Sequence, residues 1–147
     1  MKAKVVSVNI SEEKGTPKRE VSVLRLVVGH GAEGDAHAGP WHRQVSLLAE
    51  ESIDRMRALG LKDLAHGAFG ENINTMGLDL CSLPVGTRLK AGGTILEITQ
   101  IGKDCHNDGC AIRKATGQCV MPTDGVFAVV LQGGEVRPGD EIEILKD

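Results

Sequence analysis

Four residues that can ligate metals or act as nucleophiles lie within a stretch of fifteen: Cys105, His106, Cys110 and Cys119. Thiolate and imidazole groups are the usual protein ligands of zinc. Four residues separate the first two cysteines and eight separate the second from the third, a spacing that no standard zinc finger or ribbon has. Two interpretations stay open: a zinc site built from all four residues, and cysteines that act separately.

Cys105 is the strongest candidate for a reactive group among the cysteines. It comes soon after a strongly β-prone stretch and shares a loop with Lys103 and His106. A nearby ammonium or imidazolium stabilises the reactive thiolate, whereas the carboxylate of Asp104 disfavours it by charge. We therefore predict that the chemistry of this protein runs through Cys105.

The other cysteines and the neighbouring cations have simpler interpretations. A free cysteine is often a small buried hydrophobic residue, and we expect this of Cys81, which lies in an apolar stretch, and of Cys119. Arg113 and Lys114 follow Cys110. Their charged groups either hold an anion near the thiols or lie exposed on a turn of helix.

A second set of candidate residues lies in a long loop, residues 29–43, which carries Asp35, His37 and His42. These side chains could orient one another, bind a metal or hold an anion. Alternatively, Asp35 accepts hydrogen bonds from backbone amides of its own loop while the histidines lie at the surface. The loop opens with the spacing G-x-G-x-x-G, but the residues that follow cannot form the helix that a dinucleotide-binding fingerprint requires. We therefore expect its glycines to make tight turns.

The composition predicts a scaffold of short strands for these residues. The chain has 147 residues with 19 glycines, and aromatic residues make up only 2% of it. A core of Val, Ile and Leu favours strands joined by glycine turns. Roughly eight short β-prone stretches, among them 78–83 and 94–101, accompany one amphipathic helix over 49–59. The pattern predicts a mainly β fold, a barrel or closed sandwich, in a single domain over residues 1–147.

Charge and hydropathy argue against two classes of partner. The net charge is −3, with 17 basic and 20 acidic residues, and the basic residues are scattered. Nucleic-acid-binding domains usually have a basic face and stacking aromatic residues, so no nucleic acid is expected. No apolar stretch approaches the roughly 20 residues that span a bilayer, and the N-terminal stretch lacks the features of a signal peptide. We expect a cytoplasmic protein with reduced cysteines and no membrane partner.

Several stretches, taken together and in order, resemble the MOSC domain family, which is named for the C-terminal domain of molybdenum-cofactor sulfurase. The stretch 67–73 (GAFGENI), the Cys105 loop and the stretch 133–140 (GGEVRPGD) are specific in combination, although each alone is weak. The chain is similar to the small single-domain bacterial members. Many members have proline and arginine just before the cysteine, where this chain has residues 102–104 (GKD). The other matching stretches are 34–37 (GDAH), 44–48 (QVSLL), 83–89 (LPVGTRL), Gly92 and 96–100 (LEITQ).

This resemblance implies a MOSC-type β-barrel with one main helix and short helical turns. It also implies a role with the molybdenum cofactor (molybdopterin), in which Cys105 carries sulfur as a persulfide or binds molybdenum as a thiolate. In related proteins, such as the mitochondrial amidoxime-reducing enzymes, the domain holds the cofactor while N-hydroxylated compounds are reduced. An enzyme of this kind would be a molybdenum-dependent reductase or a sulfur transferase.

The partners and site residues follow from the same resemblance. The expected partners are a sulfur donor, such as a pyridoxal-phosphate-dependent desulfurase, and proteins of molybdenum-cofactor biosynthesis or molybdoenzymes. Stable binding and transfer of the cofactor both stay open, as does a non-catalytic interaction module that uses residues 105–119. Trp41 is the main candidate for stacking on a pterin ring. The candidate cofactor-binding residues are Asp35, His37, Arg43, Asn72, Lys103, His106 and Arg113, with Cys105 as the molybdenum ligand and Cys110 and Cys119 as alternative zinc ligands.

Overall fold

The structure, a computed structural model, describes residues 3–13, 18–60, 65–102 and 125–145. Within these ranges the chain forms eleven β-strands, one α-helix and one 3₁₀ turn. The helix α1 spans Glu50–Ala58, and the 3₁₀ turn spans Leu80–Ser82. The strands are β1 (Ala3–Ile10), β2 (Arg19–Val21), β3 (Leu24–Val27), β4 (Gly31–Ala32), β5 (Val45–Ala49), β6 (Ile73–Met76), β7 (Arg88–Ala91), β8 (Thr94–Ile101), β9 (Val126–Gln132), β10 (Gly134–Val136) and β11 (Glu141–Leu145).

Seven strands close into a barrel in the order β11-β7-β8-β9-β5-β6-β1, because β1 pairs back to β11. β5 and β6 run parallel, and the other neighbours in the barrel are antiparallel. β2 adds to the far part of β1, and β10, β3 and β4 form a second sheet. Closure pairs the edge strands with each other, which leaves the barrel without the exposed edges of an open sheet. The predicted mainly β barrel with one helix is confirmed.

The core is aliphatic, as the low aromatic content predicts. Along β8, Leu96 and Ile98 are buried, while Glu97 between them is partly exposed, so alternate side chains point into the barrel. The second sheet contributes Leu24 and Leu26 to the same buried cluster. The two sheets therefore share one core.

The helix packs the buried side chains of Ile53 and Met56 inward. It ends one residue earlier than predicted, and Leu59, the last residue of the predicted helix, is 55% exposed. Gly60 follows with φ of +116°, the left-handed conformation expected just after a helix end. No helix in the described ranges has the length and apolar character needed to span a membrane.

His66 links the start of α1 to β2. Its Nδ1 lies 2.7 Å from a carboxylate oxygen of Glu20, and its Nε2 lies 2.8 Å from one of Glu50. Burial opposes the charged imidazole, but the two carboxylates outweigh it and raise the pKa of His66. The contact therefore stabilises the fold fully below the ordinary pKa of 6.5, and this stabilisation is lost as the pH rises through the raised value.

Residues 78–83, which we predicted to be a strand, contain the 3₁₀ turn instead. The amide of Leu83 donates to the carbonyl of Leu80 at 3.2 Å, which curls the backbone before Pro84. Successive side chains on such a turn point in different directions, so Leu80 is buried and Cys81 is exposed. The prediction that Cys81 is buried is therefore wrong. Its apolar neighbours indicated burial, but they do not fix the direction of its own side chain.

Two glycines in the turn before β6 have nearly the same backbone conformation but different surroundings. Gly67 has φ of +87° and Gly70 has φ of +86°. A Cβ on Gly67 would lie 2.2 Å from the carbonyl oxygen of Lys18, whereas one on Gly70 would meet nothing within 4 Å. The carbonyl of Gly67 also accepts the amide of Lys18 at 2.8 Å. Glycine at position 67 thus lets this turn approach the backbone of Lys18.

Gly67→Ala should lower the free energy of unfolding more than Gly70→Ala. Alanine at positive φ costs about 1–2 kcal/mol at either site. Only at position 67 does the methyl group also meet backbone, which we expect to add about 1–3 kcal/mol. Urea denaturation of the two variants beside the wild type measures the difference. Equal losses would mean that the Lys18 segment moves aside without cost.

Candidate functional site

A row of paired residues crosses five neighbouring strands, and we call the region of the barrel around this row the motif end. Ile73 at the start of β6 pairs with Val8 near the end of β1 and with Leu47 of β5. Val126 at the start of β9 pairs with Leu47 and with Ile101 at the end of β8. The pairing therefore sets the end of β1, the start of β6, the middle of β5, the start of β9 and the end of β8 side by side in the barrel wall.

Three of the stretches that resemble the MOSC family lie at the motif end. Residues 34–37 lie against the end of β1, where the amide of Ala36 donates to the carbonyl of Ser11 at 2.7 Å. Residues 67–73 lead into β6, and residues 96–100 end β8. The stretch 133–140 follows the far end of β9, where Asp140 closely approaches the turn between β7 and β8. These separate stretches of the sequence therefore form two separate groups in the structure.

The segment that joins β8 to β9 leaves the barrel at the motif end. The amide of Gly102 donates to the carbonyl of Gly125 at 2.6 Å, so the chain leaves and re-enters at one place. Residues 103–124 lie outside the described ranges. Six of the predicted site residues fall there: Lys103, Cys105, His106, Cys110, Arg113 and Cys119. Their roles stay predictions.

Asp35 forms a fully buried ion pair at the motif end. Its Oδ1 accepts a hydrogen bond from the ammonium of Lys18 at 2.7 Å, and neither side chain is exposed to solvent. The same oxygen accepts the backbone amide of Ser11 at 3.0 Å. Oδ2 accepts the backbone amide of His37 at 3.2 Å. The carboxylate thus ties loop 29–43 to the connection between β1 and β2.

The pair keeps Asp35 ionised. Burial works against the charged carboxylate, but the hydrogen bonds from Lys18 and Ser11 outweigh it and lower the pKa of Asp35. Its stabilising effect is present above the ordinary value of 3.8 and is lost as the pH falls through the lowered one. Among the described residues, no group of three His, Cys, Asp or Glu is placed to hold a metal ion. Because an ammonium lies against the carboxylate, Asp35 is also a poor ligand for a cation.

The contacts that hold His37 in the loop include three between described residues. Its amide donates to Asp35, its carbonyl accepts the indole N–H of Trp41 at 2.8 Å, and its Nδ1 lies 3.0 Å from the ammonium of Lys18. The ring is only partly buried. The buried ammonium of Lys18 therefore sets the orientation of the His37 imidazole.

Gln100, near the end of β8, forms hydrogen bonds with the C-terminal part of loop 29–43. Its Oε1 lies 2.9 Å from Nε2 of His42 and accepts Nε–H of Arg43 at 3.1 Å. Its Nε2 donates to the carbonyl of Gly102 at 2.7 Å. Gln100 thus connects His42 and Arg43 of the loop to Gly102, the last described residue before the Cys105 segment. Thr99 adds a hydrogen bond from its hydroxyl to the carbonyl of His42.

Arg43 presents a positive charge at this end of the barrel. Its guanidinium carbon lies 5.1 Å from the centre of the Phe127 ring, a cation–π contact that fixes the side chain. Within the described part of the chain, no carboxylate is paired with Arg43. A partly buried guanidinium in this setting suits an anionic ligand.

Asn72 lies in the barrel wall, away from the surface. It is 1% exposed, its Oδ1 accepts the amide of Ser46 at 3.0 Å, and its Nδ2 donates to the carbonyl of Asn9 at 3.2 Å. The neighbouring carboxylate of Glu71 is fully buried and accepts hydrogen bonds from Asn74 at 2.8 Å and from the amide of Gly67 at 3.1 Å. Burial raises the pKa of Glu71 against these bonds. The stretch 67–73 therefore forms a buried polar support beneath the loop.

Sequence reasoning missed two residues that organise this site. Gln100 lies in one of the stretches that resemble the family, so a signal for it was present. Lys18 lies in a polar segment with no distinguishing pattern, and a lysine there is normally exposed. Only the fold brings its ammonium to Asp35.

Lys18→Met should lower the free energy of unfolding by about 3–5 kcal/mol, because it leaves the carboxylate of Asp35 buried without a counter-charge. The double variant Lys18→Met/Asp35→Asn removes both charges and should lose less than the sum of the two single variants. Urea denaturation at neutral pH of the wild type, both single variants and the double variant measures this coupling. Additive losses would contradict a coupled buried pair.

Solved structures of other proteins share this barrel. The YuaD protein from Bacillus subtilis has a TM-score of 0.80 at 23% identity, with 98% of this chain and 96% of that chain covered. YiiM from Geobacillus stearothermophilus has a TM-score of 0.74 at 19% identity, covering 98% and 75%. YiiM from Escherichia coli has a TM-score of 0.68 at 21% identity, covering 100% and 71%. At these identities the likeness shows the fold alone.

No curated protein matches the sequence. The family comparison is more specific than the structural one, because it matches the MOSC domain over residues 33–143. That range contains loop 29–43 from Glu33 onward, the stretch 67–73, Gln100 and the whole Cys105 segment. With most of its length matched, this chain belongs to the MOSC domain family.

Proposed function

We propose that this protein binds the molybdenum cofactor or carries sulfur for it, with Cys105 as the reacting thiolate. The MOSC family is associated with the molybdenum cofactor. The observation that best supports the proposal is the hydrogen-bonded group around Gln100. It connects Arg43 and His42 to Gly102, three residues before Cys105 in the sequence.

The donors at the motif end fit the anionic part of such a cofactor. A pterin phosphate needs cationic or N–H donors. Arg43 offers a guanidinium that is held in place by Phe127 and Gln100, and His42 lies beside it. Asp35 does not add negative charge, since Lys18 neutralises it. Arg43, His42 and His37 are therefore the described residues that would hold the anionic groups.

Cys105 would supply the sulfur chemistry. As a carrier, its thiolate attacks the outer sulfur of a persulfide on a donor protein such as a pyridoxal-phosphate-dependent desulfurase. The donor's S–S bond breaks as the new S–S bond forms, and the donor leaves as a thiolate, so no external oxidant or reductant is needed. As a ligand, the same soft thiolate binds molybdenum. Bound cofactor would supply a redox-active metal for the reduction of N-hydroxylated compounds.

The resident metal should depend on Cys105. Protein purified without a tag from a host that makes the cofactor should contain molybdenum, and Cys105→Ala should lose at least nine-tenths of it, on the order of a tenfold loss. Cys81→Ala is the matched control, because Cys81 is an exposed cysteine on the 3₁₀ turn, outside the motif end. Elemental mass spectrometry measures metal per chain in the three proteins.

The same measurement separates the alternatives. Zinc near one atom per chain, lost together with stability in Cys105→Ala, would replace the proposal with a structural zinc site. If no metal is found, persulfide on Cys105, detected by mass spectrometry of the intact protein after incubation with a desulfurase and cysteine, would support the carrier role. Absence of both molybdenum and persulfide would contradict the proposed function.

Arg43→Gln should weaken retention of the cofactor while leaving the fold intact. Loss of one charged hydrogen-bond donor to a phosphate costs about tenfold in affinity. Arg88→Gln is the control, since Arg88 is an exposed arginine on β7 that faces Glu97 on β8. Molybdenum per chain after graded dialysis reports retention, and urea denaturation reports folding. Equal retention in the two variants would remove Arg43 from the site.

A further inference from the structure

The ammonium of Lys18 has three acceptors around it, and each lies within hydrogen-bond distance. They are Oδ1 of Asp35 at 2.7 Å, Nδ1 of His37 at 3.0 Å and Oγ of Ser11 at 3.2 Å. A lysine ammonium has three N–H donors and no acceptor. The three contacts therefore use one donor each, and Lys18 has no further hydrogen to give.

This arrangement determines where the proton of His37 lies. If Lys18 donates to Nδ1, that nitrogen must offer its lone pair. A neutral imidazole has one N–H and one acceptor nitrogen, so the N–H of His37 is then on Nε2. An imidazolium has no lone pair and would place a second positive charge 3.0 Å from the ammonium.

A neutral Lys18 amine that accepts a hydrogen bond from Nδ1–H of His37 would reverse the assignment, but the surrounding groups oppose it. The carboxylate of Asp35 and the amine are both completely buried, and a neutral amine would leave that carboxylate without a counter-charge. The charged form of Asp35 is the favoured one, because hydrogen bonds from Lys18 and Ser11 lower its pKa despite burial. Among the described residues, the charged and titratable groups within hydrogen-bond distance of the Lys18 ammonium are Asp35 and His37, with Ser11 as the neutral third partner.

We propose that Lys18 is a positioning residue that holds His37 as the neutral Nε2–H tautomer, so that His37 serves the site as a hydrogen-bond donor. In this state His37 cannot accept a proton or a metal ion through Nδ1. The Nε2–H group can donate only to an acceptor atom, and an oxygen of an anionic ligand is one such atom. The tautomer stands on the described contacts alone, while its use toward the molybdenum cofactor rests on the proposed function.

The test is NMR of cofactor-free protein labelled with ¹⁵N at lysine and histidine, at about pH 8, where an ordinary histidine is neutral. His37→Gln assigns the imidazole signals. We expect the proton-coupled ¹⁵Nζ signal of Lys18 to be the quartet of an –NH₃⁺ group, protected from exchange with water. We also expect His37 to carry its proton on Nε2 only. Lys90, exposed on β7, is the internal reference for an unprotected ammonium.

Variants then test the dependence of the tautomer on Lys18. In Lys18→Met/Asp35→Asn, which avoids an unpaired buried charge, His37 should become a mixture of both tautomers. Lys90→Met should change neither signal. A Lys18 triplet from –NH₂, a proton on Nδ1 of His37 or an imidazolium at this pH would each overturn the proposal, as would an unchanged tautomer in the double variant. Since no cofactor is present, this result is independent of the molybdenum measurement.

Discussion

Lys18 and Asp35 place opposite charges in a part of the barrel where neither side chain is exposed to solvent. Either charge buried alone would cost several kcal/mol, so the two must be brought together for the protein to fold. One charge comes from the connection between β1 and β2, and the other from loop 29–43. The requirement to pair them therefore fixes the position of a loop that would otherwise have many conformations available.

The rest of the motif end is arranged around that pair. Gly67 lets the turn before β6 approach the backbone of Lys18, and the buried carboxylate of Glu71 accepts hydrogen bonds from the amide of Gly67 and from Asn74. At the other side of the loop, Gln100 binds Arg43 and His42. The strand pairing makes this possible, since it sets Val8, Ile73, Leu47, Val126 and Ile101 in one row across five neighbouring strands.

The parts of this structure that the sequence could predict are those with a periodic or compositional signal. Alternating apolar residues predict β8 at its observed bounds, and the amphipathic pattern predicts the helix to within one residue at each end. Glycine-rich turns and a core without many aromatic residues favour the barrel. For Asp35, a hydrogen bond from a backbone amide of its own loop, one of the two alternatives that we considered, is present, because its carboxylate accepts the amide of His37. Its pairing with Lys18 was not predicted.

Contacts between residues that are distant in the sequence leave no periodic or compositional signal. Lys18 resembles any exposed lysine in the sequence, and its burial follows only from the close approach of two loops. Cys81 shows the converse, since its apolar neighbours favour burial and the turn directs it outward. For residues 103–124, including Cys105, the sequence and the family resemblance remain the basis of every assignment.

The charge balance of the described residues bears on which ligand can be held at this end of the barrel. Lys18 and Asp35 cancel, so the carboxylate attracts no cation, and the ammonium has no donor left for a ligand. The remaining charge is that of Arg43, whose guanidinium is held by Gln100 and Phe127. A positive charge in a partly buried site attracts anions and favours the deprotonated form of a nearby thiol. The field that would receive an anionic cofactor would thus also favour the thiolate of a cysteine that reaches this end.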